Sequence, residues 1–393
     1  MTFLTNLGEK AAARVAPAFG LSQHGRAAME FLGSMQKFSS GYLRPRAKAD
    51  FMAVPKAAEL NAEHVAGADN SSPDVAALRE RVKQGRAIAD TLPLFRLERF
   101  CQRWVAEENF NTGIPAIEER REQFYPLFYG PIKGQAGGTL ELRPDIEAPK
   151  YWDVEWHLEP GGWDGYDLYG ALFAFAVGPM VFSKGGYAAV GVGDDITQQR
   201  VATIRQFRKD HYARIYEPGC GGTTTARAVH TVFPDAEIHG SDLSPGLLRN
   251  GHRMAETMGF AAHLKQRDIV DTQEPDESFD AVITYALHHE LPPKANAQLF
   301  AELFRIMKPG AEIVISDPPP LRAVDLFHAV VLDWDTLNRG EPFFSAVLEA
   351  GIDDQLREAG FEGVESYAIG RDWYPWVTRA VKPAATPAQE IAA

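Results

Sequence analysis

Arg214-Ile215-Tyr216-Glu217-Pro218-Gly219-Cys220-Gly221-Gly222-Thr223-Thr224-Thr225-Ala226 is the stretch on which the fold turns. Ala213, Ile215 and Tyr216 read as an apolar strand that ends at an acid, Glu217. Gly219, Gly221 and Gly222 then read as a tight turn, and the threonine run opens a helix. Strand, glycine turn and helix start together aim backbone N–H groups at a small ligand. Glycine tolerates positive φ there and lets the ligand approach the main chain. A dinucleotide site wants Gly-x-Gly-x-x-Gly; Gly219 and Gly221 fit its first two positions, but the third falls on Thr224 and breaks the pattern.

The other pattern that uses this geometry is Asp/Glu-x-Gly-x-Gly-x-Gly. Glu217, Gly219 and Gly221 meet it, while its last glycine falls on Thr223, with Gly222 one place early. Here the chain resembles the class I S-adenosylmethionine (SAM)-dependent methyltransferases. The resemblance implies that Glu217 and the backbone of Gly219, Cys220 and Gly221 hold the methionine end of SAM.

The segments that follow keep the same order. Ala236 to His239 reads as a second strand leading to Asp242, an acid placed to accept hydrogen bonds from both ribose hydroxyls, with Leu243 beside it. Ser244 and Pro245 read as N-cap and first residue of the next helix. A third strand from Ala262 leads to Asp268 and Ile269. The resemblance implies that Asp268 takes the adenine amino hydrogen bond and that Ile269 packs on the ring. A fourth strand, Phe279 to Thr284, ends in Tyr285-Ala286-Leu287-His288-His289-Glu290. Ligand crevices lie beyond the carboxyl ends of such strands, so Tyr285 is expected at the cofactor. His288 or His289 is expected to take a substrate proton, the ordinary imidazole pKa being about 6.5. His288, His289 and Glu290 are consecutive and point different ways, so no metal site is expected from them.

A helix from Ala295 to Met307, a strand from Ala311 to Ser316, a helix from Ile352 to Ala359 and a hairpin near Gly363–Ala368 and Trp373–Val381 complete the reading. The fold class expected is α/β, a Rossmann-like seven-stranded methyltransferase sheet in residues 196–393, with a mainly helical domain in residues 1–195. In that N-terminal half, helices are expected over Asp74 to Ala89 and Leu94 to Ala106, with a break at Gly113-Ile114-Pro115 and a resumption over Ala116 to Phe124. Tyr151 to Tyr169 gathers three tryptophans, three tyrosines and five acids around Gly161-Gly162. It reads either as an aromatic pocket wall or as an anchor between the two halves, the anchor being preferred.

The chain has 393 residues, enough for two or three domains, and 40 Lys+Arg against 53 Asp+Glu give a net charge of −13. That balance argues against a nucleic-acid partner. Two cysteines, one of them Cys220 in the glycine loop, argue against a structural disulfide. The absence of a signal-like apolar stretch or a membrane-spanning run leads us to expect a cytoplasmic protein off the membrane. The function expected is methyl transfer from SAM, by in-line displacement, to a small, partly hydrophobic or aromatic acceptor. The alternatives are other SAM chemistry, a protein acceptor or a non-catalytic module. A homodimer through the N-terminal half is a further expectation.

Overall fold

The computed structural model describes residues 19–67, 74–132, 134–184, 196–370 and 373–384. Eight strands form one sheet: β1 (Thr139–Glu141), β2 (Arg214–Pro218), β3 (Glu237–Asp242), β4 (Ala262–Gln266), β5 (Phe279–Tyr285), β6 (Met307–Asp317), β7 (Glu362–Ala368) and β8 (Trp376–Val381). Their order is β1-β4-β3-β2-β5-β6-β8-β7. β1 to β6 run parallel, and β8 inserts antiparallel between β6 and β7. β2 pairs with β3 on one side, Ile215 opposite Ile238, and with β5 on the other, Ile215 opposite Ala281. The direction of winding therefore reverses at β2, and a crevice opens beyond the carboxyl ends of β2 and β5.

The central strands are apolar almost throughout because both faces are covered. Ile215, Ile238, Ala281, Ile283 and Val314 pack with Val229 and Leu248 on one side. Tyr216, Val282 and Ile313 pack with Leu299, Phe300, Leu303 and Leu356 on the other. The sheet has one strand more than the seven expected. β1 comes from the N-terminal half and lies along the free edge of β4, Leu140 opposite Leu264. Glu141 also pairs with Arg267 at 2.5 Å. Three residues beside Gly137 and Gly138 carry too little periodicity to read as a strand; the open edge of β4 supplies the partner.

Six helices, Gln23–Phe38, Arg44–Ala53, Pro55–Ala66, Val75–Ala89, Pro93–Glu118 and Arg121–Tyr129, make up most of the described N-terminal half. Asp74 caps the fourth, accepting from Ala77 N at 3.0 Å. The expected break at 113–115 does not occur: the helix runs from Pro93 through Pro115 to Glu118. A Cβ on Gly113 would sit 2.6 Å from Leu172 Cδ1, so this glycine permits close packing rather than ending the helix.

Two further helices, Leu326–Asn338 and Phe344–Ala350, lie between β6 and β7. They do not pack with the sheet core alone. Leu326, Phe327, Val330, Phe344 and Leu348 join Phe51, Leu60, Leu78, Val82 and Phe95 in one apolar cluster. A segment late in the sequence thus completes the core of the early helices. The expected boundary near residue 195 lies outside the described residues. No helix among the described residues is long and apolar enough to cross a membrane.

Candidate active site

The glycine loop has the backbone that its composition demands. Gly219 and Gly221 have φ of +61° and +48°, and Thr223, at φ 59°, leads into the helix Thr224–Val232. Cys220 N donates to Ser241 O at 3.0 Å, and Thr223 Oγ1 donates to Gly251 O at 3.0 Å. A Cβ at Gly222 would meet no atom within 4 Å, so the loop is open on its outer side.

Two carboxyls close the strands beneath it. Asp242 accepts from Gly221 N at 2.9 Å and from Ser244 N at 2.8 Å. Ser244 caps the helix Pro245–Met258 and donates to Asp164 Oδ1 at 2.5 Å, which ties the N-terminal half to the site. Burial pushes the Asp242 carboxyl up to about 6, against the pull of the backbone N–H groups of Ser244, Gly221 and Leu243. Burial also pushes Glu217 up to about 8, only partly offset by Thr225 and Arg200. Glu217 Oε2 is buried with no hydrogen-bond partner among the described residues. The Cys220 thiol is raised well above its ordinary value by burial, which makes it unreactive.

These groups face a cavity of about 1320 Å³. Glu217, Gly219, Cys220, Gly221, Asp242 and Leu243 line it, as do Ile269, Tyr285 and His289. Two expected site residues are not on its wall. Asp268 accepts from Val270 N at 3.1 Å and steadies its own turn. His288 points into the core, stacked on Phe300 at 4.9 Å, with Nδ1 against Asn296 Oδ1 at 2.7 Å and Nε2 against Thr284 Oγ1 at 3.0 Å. Both its ring nitrogens are engaged by these partners, away from the cavity wall.

Much of the rest of the wall is aromatic. Tyr151, Trp152, Trp156, Trp163 and Tyr169 all line the cavity, joined by Phe173 and Tyr374. The segment preferred as an anchor therefore forms the pocket wall as well, with Trp156 1% exposed. Sequence reasoning missed Arg200, on the helix Ile196–Ile204. Its guanidinium lies 4.1 Å from the centroid of the Tyr285 ring, and Nε donates to Thr225 Oγ1 at 3.2 Å. A cation one turn into the helix before the glycine loop was the available signal.

His289 and Glu290 sit on a single 3₁₀ turn after β5. Asp317, at the end of β6, accepts from His288 N at 2.8 Å with one oxygen and meets His289 Nδ1 at 2.5 Å with the other. Burial lowers the His289 pKa, but Asp317 and Glu290 outweigh it and raise it well above the ordinary value. His289 Nε2 lies 3.4 Å from Glu290 Oε1.

Glu217 gives a pH-dependent prediction. Its folded pKa is raised above the unfolded value, so its contribution to stability is greatest at low pH and is lost as pH rises through about 8. Glu217→Gln removes that loss. The ligand-free variant is expected to melt at least about 2 °C above the wild type at pH 9, with a smaller gain at pH 5. Equal differences at both pH values in thermal melts would show that the carboxyl is not desolvated.

The methyltransferase-domain family model matches residues 215–310, the span from β2 into β6. A demethylmenaquinone methyltransferase of Clavibacter sepedonicus is 33% identical over 45% of this chain and 76% of its own length. One from Thermus thermophilus is 29% identical over 30% of this chain and 53% of its own. The chain thus spans about half the length of the first curated relatives that it matches. Among solved structures, phosphoethanolamine N-methyltransferase 2 of Haemonchus contortus with SAM is 16% identical, with a TM-score of 0.38 over 49% of this chain and 53% of that one. With a glycine loop after β2, an acid closing β3 and a strand order that reverses at β2, the chain belongs to the class I SAM-dependent methyltransferases.

Proposed function

We propose that this chain transfers a methyl group from SAM to a small, partly hydrophobic or aromatic acceptor. The observation that carries this reading is one cavity lined both by Glu217 and Asp242 and by the aromatic side chains of Trp163, Tyr169 and Phe173. At about 1320 Å³ it exceeds the roughly 300–1,000 Å³ of an ordinary ligand pocket, which suits a cofactor and an acceptor side by side.

The residues present fit SAM. The open glycine loop offers backbone approach, Glu217 Oε2 is a buried acceptor without a donor, and Asp242 has lone pairs left after its two backbone bonds. Glu217 and the loop would hold the methionine end, Asp242 the ribose and Ile269 the adenine face. Arg200 would meet the carboxylate. When bound, SAM supplies an electrophilic methyl group on a sulfonium. The protein's part is to hold the acceptor against that carbon and to exclude water, so the rate gain comes mainly from proximity and orientation. Trp163, Tyr169 and Phe173 supply flat apolar surface for the acceptor.

Calorimetric titration with S-adenosylhomocysteine, with NAD as control, tests the cofactor. We expect micromolar binding of the first alone. The acceptor class is tested by incubating the protein and SAM with a panel of small aromatic and apolar hydroxyl, amine and carbon acids. A methylated product identified by mass supports the reading. SAM breakdown without a methylated product would point to other chemistry.

A further inference from the structure

We propose that His157, His289, Glu290 and Glu341 form a binding site for one divalent first-row transition-metal ion on the wall of the same cavity. The four residues come from three distant segments: the aromatic stretch of the N-terminal half, the turn after β5, and the loop between the two inserted helices. One ligand atom from each lies within 4.8 Å of all the others. His157 Nε2 is 3.1 Å from Glu290 Oε1 and 3.2 Å from Glu341 Oε1, and His289 Nε2 is 3.4 Å from Glu290 Oε1. An ion held at about 2.1 Å from nitrogen and oxygen donors separates adjacent tetrahedral ligands by roughly 3.4 Å. Three of the six ligand pairs are already near that spacing, and the others lie within 4.8 Å.

Three further observations point to an ion rather than to a chance cluster. The Oε2 atoms of Glu290 and Glu341 are buried without a hydrogen-bond partner among the described residues, so each carboxylate keeps donor capacity in reserve. His289 is oriented from behind: Asp317 engages Nδ1 at 2.5 Å and leaves Nε2 facing Glu290. A carboxylate behind a histidine is the usual outer support of a metal ligand. The segments that carry His157 and Glu341 are also locked together, His157 N donating to Gly340 O at 3.1 Å. A Cβ on Gly340 would come within 2.8 Å of His157 N and 2.7 Å of Leu158 N, so only glycine allows this approach.

The donor set narrows the ion. Two imidazoles and two carboxylates with no thiolate suit Zn²⁺, Fe²⁺, Co²⁺ or Mn²⁺ rather than a soft ion such as Cu⁺. Two imidazole ligands argue against Mg²⁺ or Ca²⁺, which take oxygen donors. An ion displaces any proton from the two ligating nitrogens, and two neutral imidazoles with two carboxylates then carry two negative charges, which a divalent ion balances. His289, Glu290 and Glu341 all line the cavity, as does His157, so a bound ion would face the cavity rather than lie sealed in the core.

The inference goes beyond methyl transfer and is tested without turnover, so its failure leaves that proposal standing. The untagged full-length chain, stripped with a chelator, is titrated with Co²⁺ and followed by visible absorption, then challenged with Zn²⁺. One Co²⁺ per chain is expected, with absorption bands that one equivalent of Zn²⁺ abolishes. Glu341→Gln and His157→Asn are expected to weaken Co²⁺ binding at least about tenfold while S-adenosylhomocysteine still binds. A wild-type chain that takes up no stoichiometric Co²⁺ overturns the proposal, whatever the variants do. So does unchanged Co²⁺ affinity in variants that still bind S-adenosylhomocysteine.

Discussion

Asp242→Ala is expected to weaken SAM and S-adenosylhomocysteine binding by more than about tenfold, or about 1.4 kcal/mol, without unfolding the protein. The carboxylate closes β3, is 8% exposed, and fixes the loop by accepting from Gly221 N at 2.9 Å. Alanine removes both the proposed acceptor for the ribose hydroxyls and the tie that holds the loop against β3. Asp242→Asn keeps one oxygen and should lose less. The effect has a pH signature. Burial raises this carboxyl to about 6, and hydroxyl donors favour its charged form, so wild-type affinity should fall as pH drops below about 6. That fall should vanish in Asp242→Asn. Calorimetry at pH 5 and 7.5 measures both. A folded Asp242→Ala with wild-type affinity would remove Asp242 from the cofactor site.

Arg99→Leu should be the most destabilising change outside the apolar core, costing roughly 3–5 kcal/mol. Arg99 and Glu98 are 2% and 0% exposed in their side chains. Arg99 donates to Glu98 at 2.5 and 2.7 Å and to Asp335 at 3.0 Å. Glu98 also takes Arg44 at 2.7 Å. Burial raises the Glu98 carboxyl, but Arg44 and Arg99 outweigh it and hold it below the ordinary value. Leucine would leave Asp335 charged and buried without this partner, on the inserted helix that completes the N-terminal core. The melting temperature should drop by about 6 °C or more. Arg99→Leu combined with Asp335→Leu should recover part of that loss, because no charge is then stranded. A single variant that melts like the wild type would show that water reaches the network.

Local chemistry made much of the cofactor end legible. Gly219 and Gly221 occupy positive φ, Ser244 caps its helix and Asp242 closes its strand, each within a few residues of the signal that announced it. Other elements were not legible for particular reasons. The run Leu326 to Leu332 is apolar on nearly every side, and such a run has no period to separate helix from strand. β1 is a strand only because the edge of β4 is open to it. His288 and His289 are neighbours in sequence, yet one stacks on Phe300 in the core and the other faces the cavity. No residue pattern chooses between them, because the choice is made by Asn296 and Asp317 on other elements.

From the order of its segments alone, the chain determined a Rossmann-like α/β sheet, its glycine loop and the acid at the end of β3. These rest on backbone conformations and periodicities that neighbouring residues dictate. Only the tertiary structure decided that the aromatic stretch after Tyr151 walls the cavity, and that helices between β6 and β7 complete the core of the helices between Arg44 and Glu118. It also decided that His157 and Glu341 meet His289 and Glu290. Those meetings depend on which apolar faces need covering and which edge is free. The whole packed chain satisfies such conditions, and no local segment records them.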